Sequence, residues 1–143
     1  MKAFITLNPY DPDRDFFIKV CKREIEYFRN VSVELLKELY YRSTHHFIQR
    51  EEQLFGVGER QRSIFIVSRG VIETSISDGI AKSYHLDHLS RGSVFGQNNI
   101  ITQEMCAYEA RSVSEYTTMV FRIKRKVLFE MAAANRDLLK AIS

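Results

Sequence analysis

Gly58-Glu59-Arg60-Gln61-Arg62-Ser63-Ile64-Phe65-Ile66-Val67-Ser68-Arg69-Gly70-Val71-Ile72-Glu73 is the stretch on which the fold turns. Its centre, Ile64 to Val67, is apolar at every position, without the polar alternation of a half-solvated strand. That pattern predicts a strand covered on both faces, as in the core of a sandwich or barrel. Gly58 and Gly70 bracket it as turn residues.

Toward the C-terminus, Ile72, Thr74 and Ile76 alternate, and Asp78-Gly79 separates Glu73–Ser77 from Ile80–Tyr84. Asp and Gly tolerate the positive φ of a two-residue primed turn, so the spacing predicts a hairpin closed by those two residues. Two more strands are predicted after Gly96, over 107–114 and 116–123. From His46 onward this makes about seven or eight short strands.

Toward the N-terminus the period becomes helical. Asp11 offers an N-cap before Pro12, and Phe16, Phe17, Val20, Cys21, Tyr27 and Phe28 recur at helical spacing, predicting a helix over about 12–28. Asn30 marks a break. Ser32 caps a second predicted helix, with Val33, Leu35, Leu36, Leu39 and Tyr40 on one face and an end near Ser43. These helices either pack on the core or couple it to a neighbouring domain. From Arg125, Val127, Leu128, Met131, Leu138, Leu139 and Ile142 return to helical spacing, with Asn135 as break or cap.

The fold class is therefore α+β: an antiparallel β jelly-roll barrel flanked by N-terminal helices and a C-terminal helix. One domain is expected, with a helical segment at 1–45, the barrel at 46–124 and C-terminal helices at 125–143. The 143 residues, 45% hydrophobic and 27% charged, exclude disordered and collagen-like classes. All six glycines lie between Gly56 and Gly96, so the turn-rich zone coincides with the predicted barrel.

The net charge of +3 comes from 21 basic and 18 acidic residues that are interspersed, as at Lys22-Arg23-Glu24, so no basic stripe forms and nucleic acid is not an expected partner. Cys21 and Cys106 belong to no CxxC or Cys/His pattern, which argues against a disulfide framework or zinc site and fits a reducing compartment. The first residues begin like a signal peptide but lack its apolar core. Apolar runs stay far below the roughly 20 residues of a membrane helix, so direct membrane insertion is not expected. A cytoplasmic location follows as the expectation, which also accommodates the cytoplasmic part of a membrane protein.

Three segments in order resemble the cyclic-nucleotide-binding domains of catabolite-activator-type regulators, kinase regulatory subunits and nucleotide-gated channels. Gly58 to Glu73 is similar to the family's glycine-bracketed strand signature. Leu89-Ser90-Arg91-Gly92-Ser93-Val94-Phe95-Gly96-Gln97 looks like the entrance to its phosphate-binding cassette, and Val120 to Phe129 looks like its strand-to-helix exit. The resemblance covers about residues 28 to 143. It implies a regulatory, non-enzymatic module that binds cAMP or cGMP, holds no cofactor or metal, and moves its terminal helices when occupied. The ligand-contacting set it implies is Phe95, Gly96, Gln97, Asn98, Asn99, Ile100, Glu109, Arg111 and Ser112.

The cassette has an independent physical rationale. A glycine before a short helical turn lets backbone N–H groups approach an anion, and a helix N-terminus adds partial positive charge; Phe95 to Ile101 can supply both. The sequence departs from the family in two places. Gln97 stands where a glutamate holds the ribose, and it still accepts a hydrogen bond. With Val113 aligned on the family's Arg-x-Ala-x-Val stretch, Glu109 stands where an arginine pairs with the phosphate. A hydrogen bond to a charged group contributes about 1.5–3 kcal/mol, so this loss weakens binding by about one to two orders of magnitude. Arg111, on the same face of the strand as Glu109, either substitutes as phosphate ligand or pairs with Glu109.

The family's lid helix is partial or absent in a chain that stops at Ser143, which points to a piece of a larger signalling or ion-transport protein with an attached effector domain or partner protein. The alternative function is a ligand-independent interaction or dimerisation module with a degenerate pocket. A metal site from His45-His46 and His85-Leu86-Asp87-His88 matches no established spacing, and in a regular strand His85 and His88 point to opposite faces. No Gly-x-Ser-x-Gly elbow supports hydrolase chemistry. The acids interspersed around Phe16, Phe17 and Lys19 argue for a solvated helix rather than a membrane-surface one.

Overall fold

A computed structural model describes residues 11–60, 62–77, 83–97, 100 and 106–142. Helix α1 (Pro12–Glu24) begins as expected: the Asp11 carboxylate accepts the Arg14 N–H at 3.1 Å, and Pro12 occupies the first turn. The single helix expected to reach Phe28 is divided. Ile25 is extended (φ −110°, ψ 106°) and a 3-10 turn follows over Glu26–Phe28. The kink turns the chain toward the next helix while Ile25 and Phe28 both stay in the core. Helix α2 (Val33–Arg42) is capped by Ser32 and ends at Ser43, burying Leu36, Leu39 and Tyr40; Val33 lies off that face, 42% exposed.

Eight strands follow: β1 (Thr44–Ile48), β2 (Gln53–Phe55), β3 (Ser63–Arg69), β4 (Ile72–Ser77), β5 (Ser83–Leu89), β6 (Val94–Phe95), β7 (Glu109–Ser112) and β8 (Thr118–Lys124). They form two four-stranded antiparallel sheets, β1-β8-β3-β6 and β2-β7-β4-β5. Helix α3 (Arg125–Ala134) continues from β8, and Asn135, its side chain accepting the Leu138 N–H at 3.0 Å, starts α4 (Arg136–Ile142). The fold is the jelly roll with flanking helices that the sequence predicted.

The first sheet lies between two cores, which is why Ile64 to Val67 of β3 are all apolar. Ile64 and Ile66 of β3, with Met119, Phe121 and Ile123 of β8, face a helical core built from Phe17, Phe28, Leu36, Leu128 and Leu138. Phe65, Val67 and Val120 face the second sheet, meeting Ile48, Phe55, Ile72, Phe95 and Ala110. The far side of the second sheet carries the polar residues Glu73, Glu109 and Arg111. An Arg42–Glu130 pair at 3.2 Å links α2 to α3.

The β4–β5 hairpin differs from expectation. Ser77 pairs with Ser83, not with Ile80 as a two-residue Asp78-Gly79 turn requires; those turn residues lie outside the described ones. Register is set along the whole ladder by which side chains face inward, and the turn dipeptide alone did not fix it. Farther along, Thr74 pairs with Asp87 but Ser75 with His85, so Leu86 has no partner and β5 carries a β-bulge. The bulge reverses the alternation: His85 and His88 stand on the same face, and their rings lie 4.4 Å apart. The expectation that they point to opposite faces is thereby corrected.

Candidate functional site

The cassette entrance is a turn held by backbone bonds to β3. Gly92 N–H donates to the Val67 carbonyl at 2.8 Å, and Val67 N–H to the Ser93 carbonyl at 2.9 Å. Arg91 reaches from this turn in two directions: its guanidinium donates to the Ser68 carbonyl at 2.7 Å and lies 3.7 Å above the Phe16 ring of α1. Phe95 stacks on Phe65 at 5.1 Å. Gly96 then adopts φ +88°, and a Cβ there would lie 2.5 Å from the Ser63 carbonyl oxygen, so only glycine fits against β3.

Gln97 lines a groove of about 420 Å³ with Arg23, Glu24, Arg91 and Gly92, between α1 and the turn. Asn98 and Asn99 lie outside the described residues. Ile100 is fully buried, and not in the barrel: it belongs to the helical core with Leu128 and Met131, and its carbonyl accepts the Arg125 Nε–H of α3 at 3.0 Å. Ile100 is thus bonded directly to α3 and shares the core that the C-terminal helices help to build.

Strand β7 sets the faces on which Glu109 and Arg111 lie. Ala110 and Ser112 are buried toward the barrel interior, which puts Glu109 and Arg111 on the outer face. Arg111 pairs with Glu109 at 3.1 Å and approaches Glu51 at 3.7 Å; Glu109 also accepts from Gln53 at 2.7 Å and Ser75 at 3.1 Å. Of the two roles open to Arg111, the structure displays the pairing with Glu109. Ser112 Oγ bonds Thr118 Oγ1 inside the barrel at 2.7 Å.

Two features had no strong sequence signal. The space between the sheets is filled by Phe55, Phe65, Phe95 and Tyr108, with neighbouring ring centroids 5.1–6.3 Å apart. These four come from four segments, so no local pattern marks them as a unit; burial pushes the Tyr108 hydroxyl pKa up. The second feature is cationic. Arg122 of β8, opposite Phe65, faces the barrel interior and donates its Nε–H to Ser63 Oγ at 2.7 Å. Burial lowers its pKa, and no carboxylate within ion-pair distance accompanies it among the described residues. His46 stands on the same face of β1; burial first, then Arg122 and Lys124, lower its pKa, and its Nε2 is buried without a partner. Because the Ser63 carbonyl lies against Gly96, Arg122 is connected through one residue to the cassette glycine.

The family model described as "Cyclic nucleotide-binding domain" matches residues 45–135. A search of curated protein sequences finds no match. Among solved structures, the N-terminal domain of a transcriptional regulator from Streptomyces coelicolor A3(2) superposes with TM-score 0.75 at 13% identity, covering 86% of each chain. The Thermus thermophilus catabolite activator protein gives 0.67 at 13% identity, covering 81% of this chain; this chain spans 54% of its length. The regulatory domain of Toxoplasma gondii PKA, crystallised with cAMP, gives 0.66 at 16% identity over 89% of this chain and 48% of its own.

Proposed function

Because the chain belongs to the cyclic nucleotide-binding domain family, we propose that it is a non-catalytic regulatory module whose cassette, on binding cAMP or cGMP, shifts the terminal helices and so biases an attached effector domain or partner protein. The observation that carries this reading is Ile100, a cassette residue buried in the same helical core as residues of α3 and α4, its carbonyl bonded to Arg125 of α3. Displacing the cassette must repack that core, and packed cores rearrange between discrete states rather than deform smoothly. Arg91 on Phe16 gives α1 a parallel link to the same turn.

In this reading the phosphate sits at the Gly96 turn, with Arg122 rather than Arg111 as the inward guanidinium. Since β7 directs no guanidinium inward, affinity is about one to two orders of magnitude below that of a site with such a pair. Calorimetric titration with cAMP and cGMP tests this. Weak, saturable heat that Arg122→Ala diminishes and Arg111→Ala leaves alone is expected; no heat up to millimolar nucleotide contradicts it.

The aromatic filling of the barrel favours a second reading, a ligand-independent interaction or dimerisation module. An absence of nucleotide binding together with concentration-dependent self-association would support it.

A further inference from the structure

We propose that Glu73, His85 and His88 form a binding site for a divalent transition-metal ion, on the outer face of the second sheet and apart from the cassette. The β-bulge at Leu86 creates it. In the register before the bulge, Glu73 stands opposite His88; after it, Ser75 stands opposite His85. Both imidazoles therefore lie on the face that carries Glu73, whereas Asp87, opposite Thr74, does not.

The spacing suits the chemistry. Glu73 Oε2 lies 3.0 Å from His88 Nε2 and 3.5 Å from His85 Nδ1, and the three ligand atoms lie within 4.8 Å of one another. Metal–ligand bonds of about 2.0–2.1 Å place neighbouring ligands of a tetrahedral ion about 3.3 Å apart, so two of the three edges are already formed. The third closes by turning exposed imidazoles, whose terminal torsions are soft. The histidine side chains are 49% and 57% exposed, so a water completes the coordination. Two imidazoles and one carboxylate select a borderline ion such as Zn²⁺ over Mg²⁺ or Ca²⁺. Arg111, opposite Glu73 on β7, has its guanidinium engaged by Glu109 and Glu51. A bound ion would clip the edge strand β5 to β4.

Zn²⁺ titration of the whole chain by calorimetry tests the site. One equivalent binding with micromolar or tighter affinity is expected, with Mg²⁺ in excess failing to compete. His85→Ala, His88→Ala and Glu73→Gln should each weaken binding at least about tenfold. The double histidine variant should abolish it while keeping the metal-free Tm, since these side chains are exposed. Zn²⁺ at a hundredfold excess over Kd should raise the Tm by several degrees in the parent chain alone. No uptake of Zn²⁺, or uptake undiminished in the double variant, would overturn the proposal.

Discussion

Arg111 and Glu109, two residues apart on β7, bind each other at 3.1 Å on the outer face of the second sheet, while Ala110 between them is buried inside. The pair is partly solvated, so Arg111→Ala should change stability by no more than about 1 kcal/mol. It should leave any nucleotide response intact. Urea unfolding and calorimetry check both; a large loss of nucleotide binding in Arg111→Ala would show that the guanidinium reaches the ligand after all.

Gly96 and Gly58 share a left-handed backbone, φ +88° and +86°, but differ in their surroundings. A Cβ at Gly96 meets the Ser63 carbonyl, whereas one at Gly58 meets nothing within 4 Å. Gly96→Ala should therefore cost at least about 2 kcal/mol and Gly58→Ala only about 1 kcal/mol. Equal losses in denaturant unfolding would mean that the Ser63 contact does not confine the cassette turn.

His46 ties stability to pH. Its folded pKa lies below the ordinary imidazole value of about 6.5, through burial and then the cations Arg122 and Lys124. Between the two values the unfolded chain binds the extra proton and the folded chain does not, so stability falls as pH drops below about 6.5 toward the folded value. In His46→Gln that decline should be shallower. Urea midpoints at neutral and mildly acidic pH measure it, and identical slopes in parent and variant would assign the decline elsewhere.

Both cysteines are buried, Cys21 in the helical core and Cys106 between the sheets. Burial pushes the Cys21 thiol well above the ordinary range, which suppresses its thiolate. Neither should react with a thiol reagent until the chain unfolds, so labelling should track the unfolding curve. Rapid modification of Cys21 in the native state would mean that α1 opens locally.

Much of this architecture was legible because it is local. Asp11, Ser32 and Asn135 cap the helices the sequence marked, and the apolar run in β3 is buried on both faces as read. What alternation could not supply was parity after a bulge: one unpaired residue, Leu86, turned His85 toward His88. Nor could it tell which face of β7 is inside; it placed Glu109 and Arg111 together, and the partner strands decided that they face outward. The Ile100–Arg125 bond was equally invisible, since a carbonyl acceptor carries no residue-type signature.

Amide hydrogen exchange across α3 and α4, with and without millimolar cyclic nucleotide, tests most directly whether the cassette is coupled to the terminal helices. Nucleotide is expected to change protection from Leu128 to Ile142, and Arg125→Ala, which cuts the bond to Ile100, should reduce that change. Bound nucleotide that leaves these helices unaltered, or alters them equally in Arg125→Ala, would contradict the coupling.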